Sequence, residues 1–294
     1  MSYSMVDNTE LYPLAPTKKL SRCCNIDIGG KTYALEAYWV VNIIAALLHG
    51  VNALLMVIFY YENDQHDQLY DITTPYGNWT NVNGTMEILD ESYIVWKDFS
   101  LNWAIFTFHL LSFVFQLLVL IPAYDYQNMV EKRGQNWMRF LEYSISASIM
   151  LVCIALTTGV RDFVTLIIIC ILNITTQALG AFNERTKDSI TRTSLFLLAW
   201  VCCISSYAII FWYFGVAVDR ADTDVPEFVF GIIIGQFILF NLFGFVQLIQ
   251  LYGRDWACIG IIATESELAY CILSLVAKTL LGWLIYANVI VADS

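Results

Sequence analysis

Charge is scarce in this chain, and basic charge is the scarcest. Of 294 residues 14% are charged, with 15 Lys and Arg against 26 Asp and Glu, whereas a soluble domain carries about 25% charged residues. That shortage excludes an electropositive surface for nucleic acid, and no nucleic-acid partner is expected. No Cys/His cluster has metal-ligand spacing and no glycine-rich nucleotide loop occurs, so metal and nucleotide chemistry, and an enzymatic role, are not expected. Residues 1–33 hold Asp, Glu and Pro and no apolar run, so no cleavable signal is expected and the first span is expected to target the chain to the membrane. The eight cysteines do not form a secreted disulfide pattern. Cys153, Cys170, Cys202, Cys203 and Cys271 lie inside apolar runs, where thiols behave as small hydrophobes. Cys23 and Cys24 precede the first span closely enough to be candidates for palmitoylation.

What the chain has in abundance is apolar sequence: 58% hydrophobic residues and a mean hydropathy of +0.61. It falls into seven runs, at about 35–61, 99–121, 137–160, 163–183, 193–216, 228–251 and 267–290, each long enough to cross a bilayer as a helix. Backbone polar groups in lipid must be satisfied within the segment, so the expected fold class is an all-α membrane protein, a seven-helix bundle. Residues 1–34 read as an N-terminal segment, 35–291 as the bundle, and 62–98 as its one long connection. Basic residues set the orientation. The side holding the N-terminus carries Lys18, Lys19, Arg22, Lys31, Lys132, Arg133, Arg139, Arg185, Lys187, Arg192 and Arg254, eleven against three (Lys97, Arg161, Arg220) on the other. The N-terminus is therefore expected in the cytoplasm and the C-terminus outside. Loop 62–98 and loop 219–227 together carry twelve carboxylates, all on the expected outer side. Loop 62–98 also holds two glycosylation sequons, Asn78-Trp79-Thr80 and Asn83-Gly84-Thr85.

Within the apolar runs a few polar side chains stand out. Lys278 lies at least ten residues from the nearest polar boundary of the seventh span, where an ammonium costs about 2.5–3.5 kcal/mol. Such a lysine serves an ion pair, a proton relay or a covalent imine to a carbonyl ligand. Glu142 lies roughly 9 Å inside the third span and Lys278 roughly 17 Å inside the seventh, both counted from the same boundary at 1.5 Å per residue. Helical side chains lean toward the N-terminus, so the lysine reaches back toward the depth of Glu142, and an ion pair is expected. The alternative is a Glu142 that snorkels beside Arg139. Ser274 is one turn before Lys278 on its face, and Glu267 lies on nearly the same face. His49 is mid-span in the first run, Ser112 and Gln116 are one turn apart in the second, and Glu184 closes the fourth. His109 shares the face of Gln116 less cleanly than Ser112 does. Trp200, Tyr207, Phe240 and Trp283 are candidates to line a cavity.

Two segments, Glu142-Tyr143-Ser144-Ile145-Ser146-Ala147-Ser148 and the seventh-span pattern that joins Glu267, Tyr270, Ser274, Ala277, Lys278 and Trp283, resemble the heliorhodopsins. His49 and Glu184 match further positions, and the resemblance covers all seven spans. It implies a retinal-binding seven-helix protein with a cytoplasmic N-terminus, inverted relative to ordinary microbial rhodopsins, and a homodimer in the bilayer. By the same resemblance Lys278 forms the Schiff base with all-trans retinal, Glu142 is its counterion, and Ser274 sits beside it. Tyr143, Met150 and Phe240 are further expected retinal contacts, while His49, Ser112 and Gln116 belong to a polar cavity near the Schiff base. In one departure, Gln116 stands where the family's cavity is expected to hold a second-span histidine. The implied function is a light sensor that signals by conformational change to a partner the sequence does not name. Light-dependent proton transport is the alternative, with Glu227, Glu184 and Glu267 as a possible proton path. Glu227 also reads simply as a carboxylate at a helix N-terminus after Pro226. A retinal-free seven-span receptor or transporter is the third reading.

Overall fold

The computed structural model describes residues 24–28, 31–35, 37–62, 69–83, 85–121, 130, 134–252 and 263–290. Contacts divide the chain into two units, residues 1–37 and 38–294. In the first, β1 (Cys24–Ile28) pairs antiparallel with β2 (Lys31–Leu35), in a register running from Cys24 opposite Leu35 to Ile28 opposite Lys31. Residues 1–23, with Cys23, lie outside the described residues.

The second unit is the helical bundle: α1 (Ala37–Glu62), α2 (Leu101–Leu120), α3 (Trp137–Thr157), α4 (Phe163–Arg185), α5 (Ser189–Asp219), α6 (Glu227–Tyr252) and α7 (Ala263–Ile285), closed by a wide helical turn over Tyr286–Ile290. All seven are long and apolar enough to cross a membrane. Polar side chains start four of them by accepting a backbone N–H that the first turn leaves unpaired. Ser100 accepts from Trp103, Asn136 from Arg139, Asp162 from Thr165 and Asp188 from Thr191. The bonds from Thr191 hold the exposed Asp188 carboxyl below its ordinary range. Its contribution is therefore present at neutral pH and is lost as acid protonates it. This cap begins α5 four residues before the apolar run. The resulting 31-residue helix is about 46 Å long and exceeds the hydrocarbon layer.

The helices are apolar on every side, as membrane spans are. Ile43, Leu47 and Leu54 of α1, Ile167, Ile171 and Ile174 of α4, and Leu197, Val201 and Trp212 of α5 all face outward. Burial is uneven: 67% of the α3 span is enclosed, against 22% of α4 and of α6. Helix α3 is thus the axis of the bundle, and a site built on it is shielded from lipid. Its Met150, Leu151 and Ile154 share one core cluster with Ile105, Phe108, Ile210 and Ile232.

The described residues of the connection over 62–98 are not irregular. They contain a long antiparallel hairpin of β3 (Leu69–Val82) and β4 (Thr85–Ser100). Val82 pairs with Thr85, so the reversal begins at Asn83, the first residue of an Asn-Gly pair in the sequence, the strongest short-range hairpin signal. Asn83 has φ 54°, a left-handed conformation that asparagine tolerates. The base of the hairpin is tied to the α3–α4 connection. Thr73 donates its N–H to the Arg161 carbonyl at 2.9 Å, and the Arg161 guanidinium stacks 3.8 Å over the Tyr70 ring. Beyond that anchor β4 is exposed along most of its length.

Candidate functional site: a buried lysine, its carboxylate and two cavities

Lys278 is 2% exposed on α7. Its Nζ donates to Glu142 Oε1 at 2.6 Å and to Ser274 Oγ, one turn earlier, at 2.8 Å. Glu142, buried on α3, also meets Ser112 Oγ at 2.7 Å and Ser146 Oγ at 3.2 Å, both on Oε1. Ser146 follows Glu142 by four residues and so lies over it on the same helix face. Burying two charges is tolerable only when the remaining hydrogen-bonding capacity is met, and three hydroxyls do this here. Glu142 thus turns inward to Lys278, and Arg139 bonds elsewhere. The Tyr143 ring lies 5.0 Å from Nζ, and its hydroxyl donates to the Tyr270 carbonyl at 3.2 Å.

A histidine from α2 does face His49, and it is His109 rather than Gln116. Both imidazoles are fully buried, with their Nδ1 atoms 3.0 Å apart, so one ring donates and the other accepts. Both Nε2 atoms are buried without a hydrogen-bond partner. Gly282 of α7 makes the space: a Cβ there would stand 3.2 Å from His109 Nε2. His109 precedes Ser112 by three residues, the helical spacing that signals its place on this face. Gln116 instead donates from Nε2 to Cys271 Sγ at 3.5 Å. Asn52 of α1 braces α7 just past Lys278, accepting from Trp283 Nε1 at 2.9 Å and donating to Thr279 Oγ1 at 3.5 Å.

Two cavities meet at this centre. The larger, with about 890 Å³ of empty space and partly open, is lined by Lys278, Ser274, Tyr143, Met150, Phe240 and Trp200 among others. Trp200 lies flat against Gly244, where a Cβ would come within 2.8 Å of the indole nitrogen. Tyr207 and Trp283 are not among its lining residues. The smaller, about 410 Å³, is polar and is bounded by Glu142, Gln116, Cys271, Asn136, Arg139 and Glu267.

At the start of α3 a second charged group closes the polar cavity. Arg139 bonds both Glu184 of α4 and Glu267 of α7, and its guanidinium stacks 3.8 Å over the Tyr270 ring. Asn136 completes the group: its backbone N–H donates to Glu184 Oε2 and its Nδ2 to Glu267 Oε2, each at 2.9 Å. Two carboxylates on one guanidinium leave a formal excess of negative charge, and the positive end of the α3 dipole lies beside it. Glu227 is not part of this arrangement; it is exposed in the first turn of α6. Glu267→Gln keeps the shape but sets an amide NH2 against a donor from Asn136 or Arg139. The expected cost is about 2 kcal/mol of stability, read as a lower Tm, with the Lys278–Glu142 pair untouched. An unchanged Tm would show that the charge on Glu267 holds nothing together.

A heliorhodopsin family model matches residues 38–290. No protein with a curated description matches the chain. Among solved structures, a thermophilic rhodopsin from Rubrobacter xylanophilus has a TM-score of 0.61 at 13% identity, over 85% of this chain and 95% of its own. Halorhodopsin, a light-driven chloride pump, has a TM-score of 0.63 at 13% identity, over 88% of this chain and 97% of its own. A cyanorhodopsin from Tolypothrix sp. NIES-4075 has a TM-score of 0.57 at 12% identity, over 85% and 93%. At these identities the likeness is one of fold.

Proposed function

This chain belongs to the heliorhodopsin family, and from that premise we propose that it is a light sensor whose Lys278 carries all-trans retinal. The family implies a retinal chromophore in an integral, multi-pass membrane protein. The residues present suit that group. An elongated apolar aldehyde needs an amine at one end of an apolar cavity, and Lys278 stands on the wall of a cavity with Met150, Phe240 and Trp200. When bound, retinal supplies absorption of visible light and a change of shape on isomerisation. Everything else is the work of the chain. Glu142 holds a proton at Lys278 Nζ by its charge, while Ser274, Ser112 and Ser146 fix the carboxylate and the nitrogen relative to one another. Asn52, Trp283 and Gln236 tie α7 to its neighbours, Gln236 by donating to the Ala277 carbonyl at 3.0 Å. A displacement at Lys278 would therefore reach α1 and α6 as a change in packing. The observation that carries the reading is the 2.6 Å Lys278–Glu142 pair at the cavity wall.

The eleven-to-three distribution of basic residues supports a cytoplasmic N-terminus, the β3–β4 hairpin outside and the Arg139 group on the cytoplasmic side. Family resemblance supports a homodimer and a photoreceptor rather than an enzyme. A second reading, light-dependent proton transport, is favoured by one observation. The polar cavity touches both Glu142 and the Arg139–Glu267 pair, which makes a half-path for protons toward one face. Voltage-clamp recording of retinal-supplied cells distinguishes the two. A sensor gives no sustained photocurrent under steady light at any holding voltage, whereas a sustained current that depends on pH would establish transport.

A further inference from the structure

We propose that Asn83, at the tip of the β3–β4 hairpin, is an N-glycosylation site, and that Asn78, five residues before it, is not. The proposal rests on the outward orientation of the hairpin given above, and on how the hairpin treats its two sequons. Asn83 is exposed, has φ 54° and lies beyond the last strand pair, Val82–Thr85. The third residue of its sequon, Thr85, is exposed as well. The acceptor amide therefore stands at the chain reversal, beyond the ladder, and the hydroxyl that must approach it is exposed on the last strand pair.

Asn78 is in the opposite situation. It lies within β3, paired with Leu89, and its Nδ2 donates to Glu91 Oε1 at 2.8 Å, while the Tyr76 hydroxyl donates to Glu91 Oε2 at 2.6 Å. These two bonds, that of Asn78 foremost, hold the Glu91 carboxyl below its ordinary range. The nitrogen that would accept a sugar is thus committed to a carboxylate across the ribbon, and extended backbone holds Thr80 two residues, about 6.6 Å, along the strand from it. Hairpins close in about 1–10 μs, while synthesis adds only about 5–20 residues per second, so the ribbon forms as soon as both strands have emerged. The tip also has use for a sugar. Trp79, Met86 and Ile88 are 64%, 58% and 54% exposed, and an exposed apolar ribbon with free edges invites pairing with other chains. A bulky hydrophilic glycan at the reversal obstructs that approach.

The donor is a lipid-linked diphosphate oligosaccharide of the secretory pathway. The Asn83 Nδ2–C1 bond forms, the C1–O bond to the diphosphate breaks, the amide nitrogen loses one proton, and the lipid diphosphate leaves. No oxidation or reduction is involved.

The test is expression of the full chain in cultured mammalian cells with retinal supplied, followed by treatment with an endoglycosidase that removes N-glycans. The wild-type band is expected to fall by the mass of one glycan. Asn83→Gln and Thr85→Ala should each run at the deglycosylated position, and Asn78→Gln should run as wild type. Visible colour in each variant shows that it has folded. Orientation is measured separately, by labelling a Glu87→Cys variant on intact cells with a membrane-impermeant maleimide. Labelling without any glycan overturns the proposal and leaves the orientation standing. No labelling and no glycan overturns both. Two glycans, or a glycan lost in Asn78→Gln, overturns the distinction between the two sequons.

Discussion

Lys278→Ala is expected to give a protein that inserts and folds but shows no visible absorption band with all-trans retinal. The substitution removes the only amine on the cavity wall among its lining residues, and without it the ligand has no covalent anchor. It also strands Glu142 in the bundle with only the two hydroxyls on its own oxygen, Ser112 and Ser146, as partners. Breaking a buried pair by removing one partner costs about 3–5 kcal/mol, so the colour must be read per folded molecule. Lys278→Arg separates the two effects. A guanidinium keeps a cation near Glu142 and restores part of the stability, but it does not form an imine, so colour stays absent. A pigment of normal colour in either variant would sink the assignment of Lys278.

Glu142→Gln is expected to shift the visible band. The amide still offers an oxygen to Lys278 Nζ at the position where the carboxylate now accepts at 2.6 Å, so the shape of the site survives and the charge does not. Ser112→Ala, which removes a single hydroxyl from Glu142 Oε1, should shift the band by less. A spectrum unchanged in Glu142→Gln would leave Glu142 with no hold on the chromophore.

The depth of Lys278 and Glu142 was readable from helix rise alone, because both spans are entered from one boundary and membrane helices seldom depart from that rise. His109 is legible too, three residues before Ser112 and so on a neighbouring part of the same helix face. The hairpin carried a plain signal in Asn83-Gly84, but strands with Trp79, Met86, Ile88 and Tyr93 on exposed positions lack the alternation that marks a half-buried strand. The Arg139 group was not readable. Its carboxylates come from residues 45 and 128 positions away, and the sequence offers Arg139 equally to solvent, to Glu142 or to lipid headgroups.

The sequence by itself therefore determined seven spans, their uneven basic flanks and the level of the one buried amine, since lipid forces each span to satisfy its own backbone and helix geometry turns residue number into depth. Which side chains meet across helices was decided only by tertiary packing. Rotation of each helix about its axis places Glu142 against Lys278, His109 against His49, and Glu184 with Glu267 on Arg139, and that rotation is set by contacts such as Gly282 against His109 and Trp200 against Gly244, which depend on the shapes of residues distant in sequence.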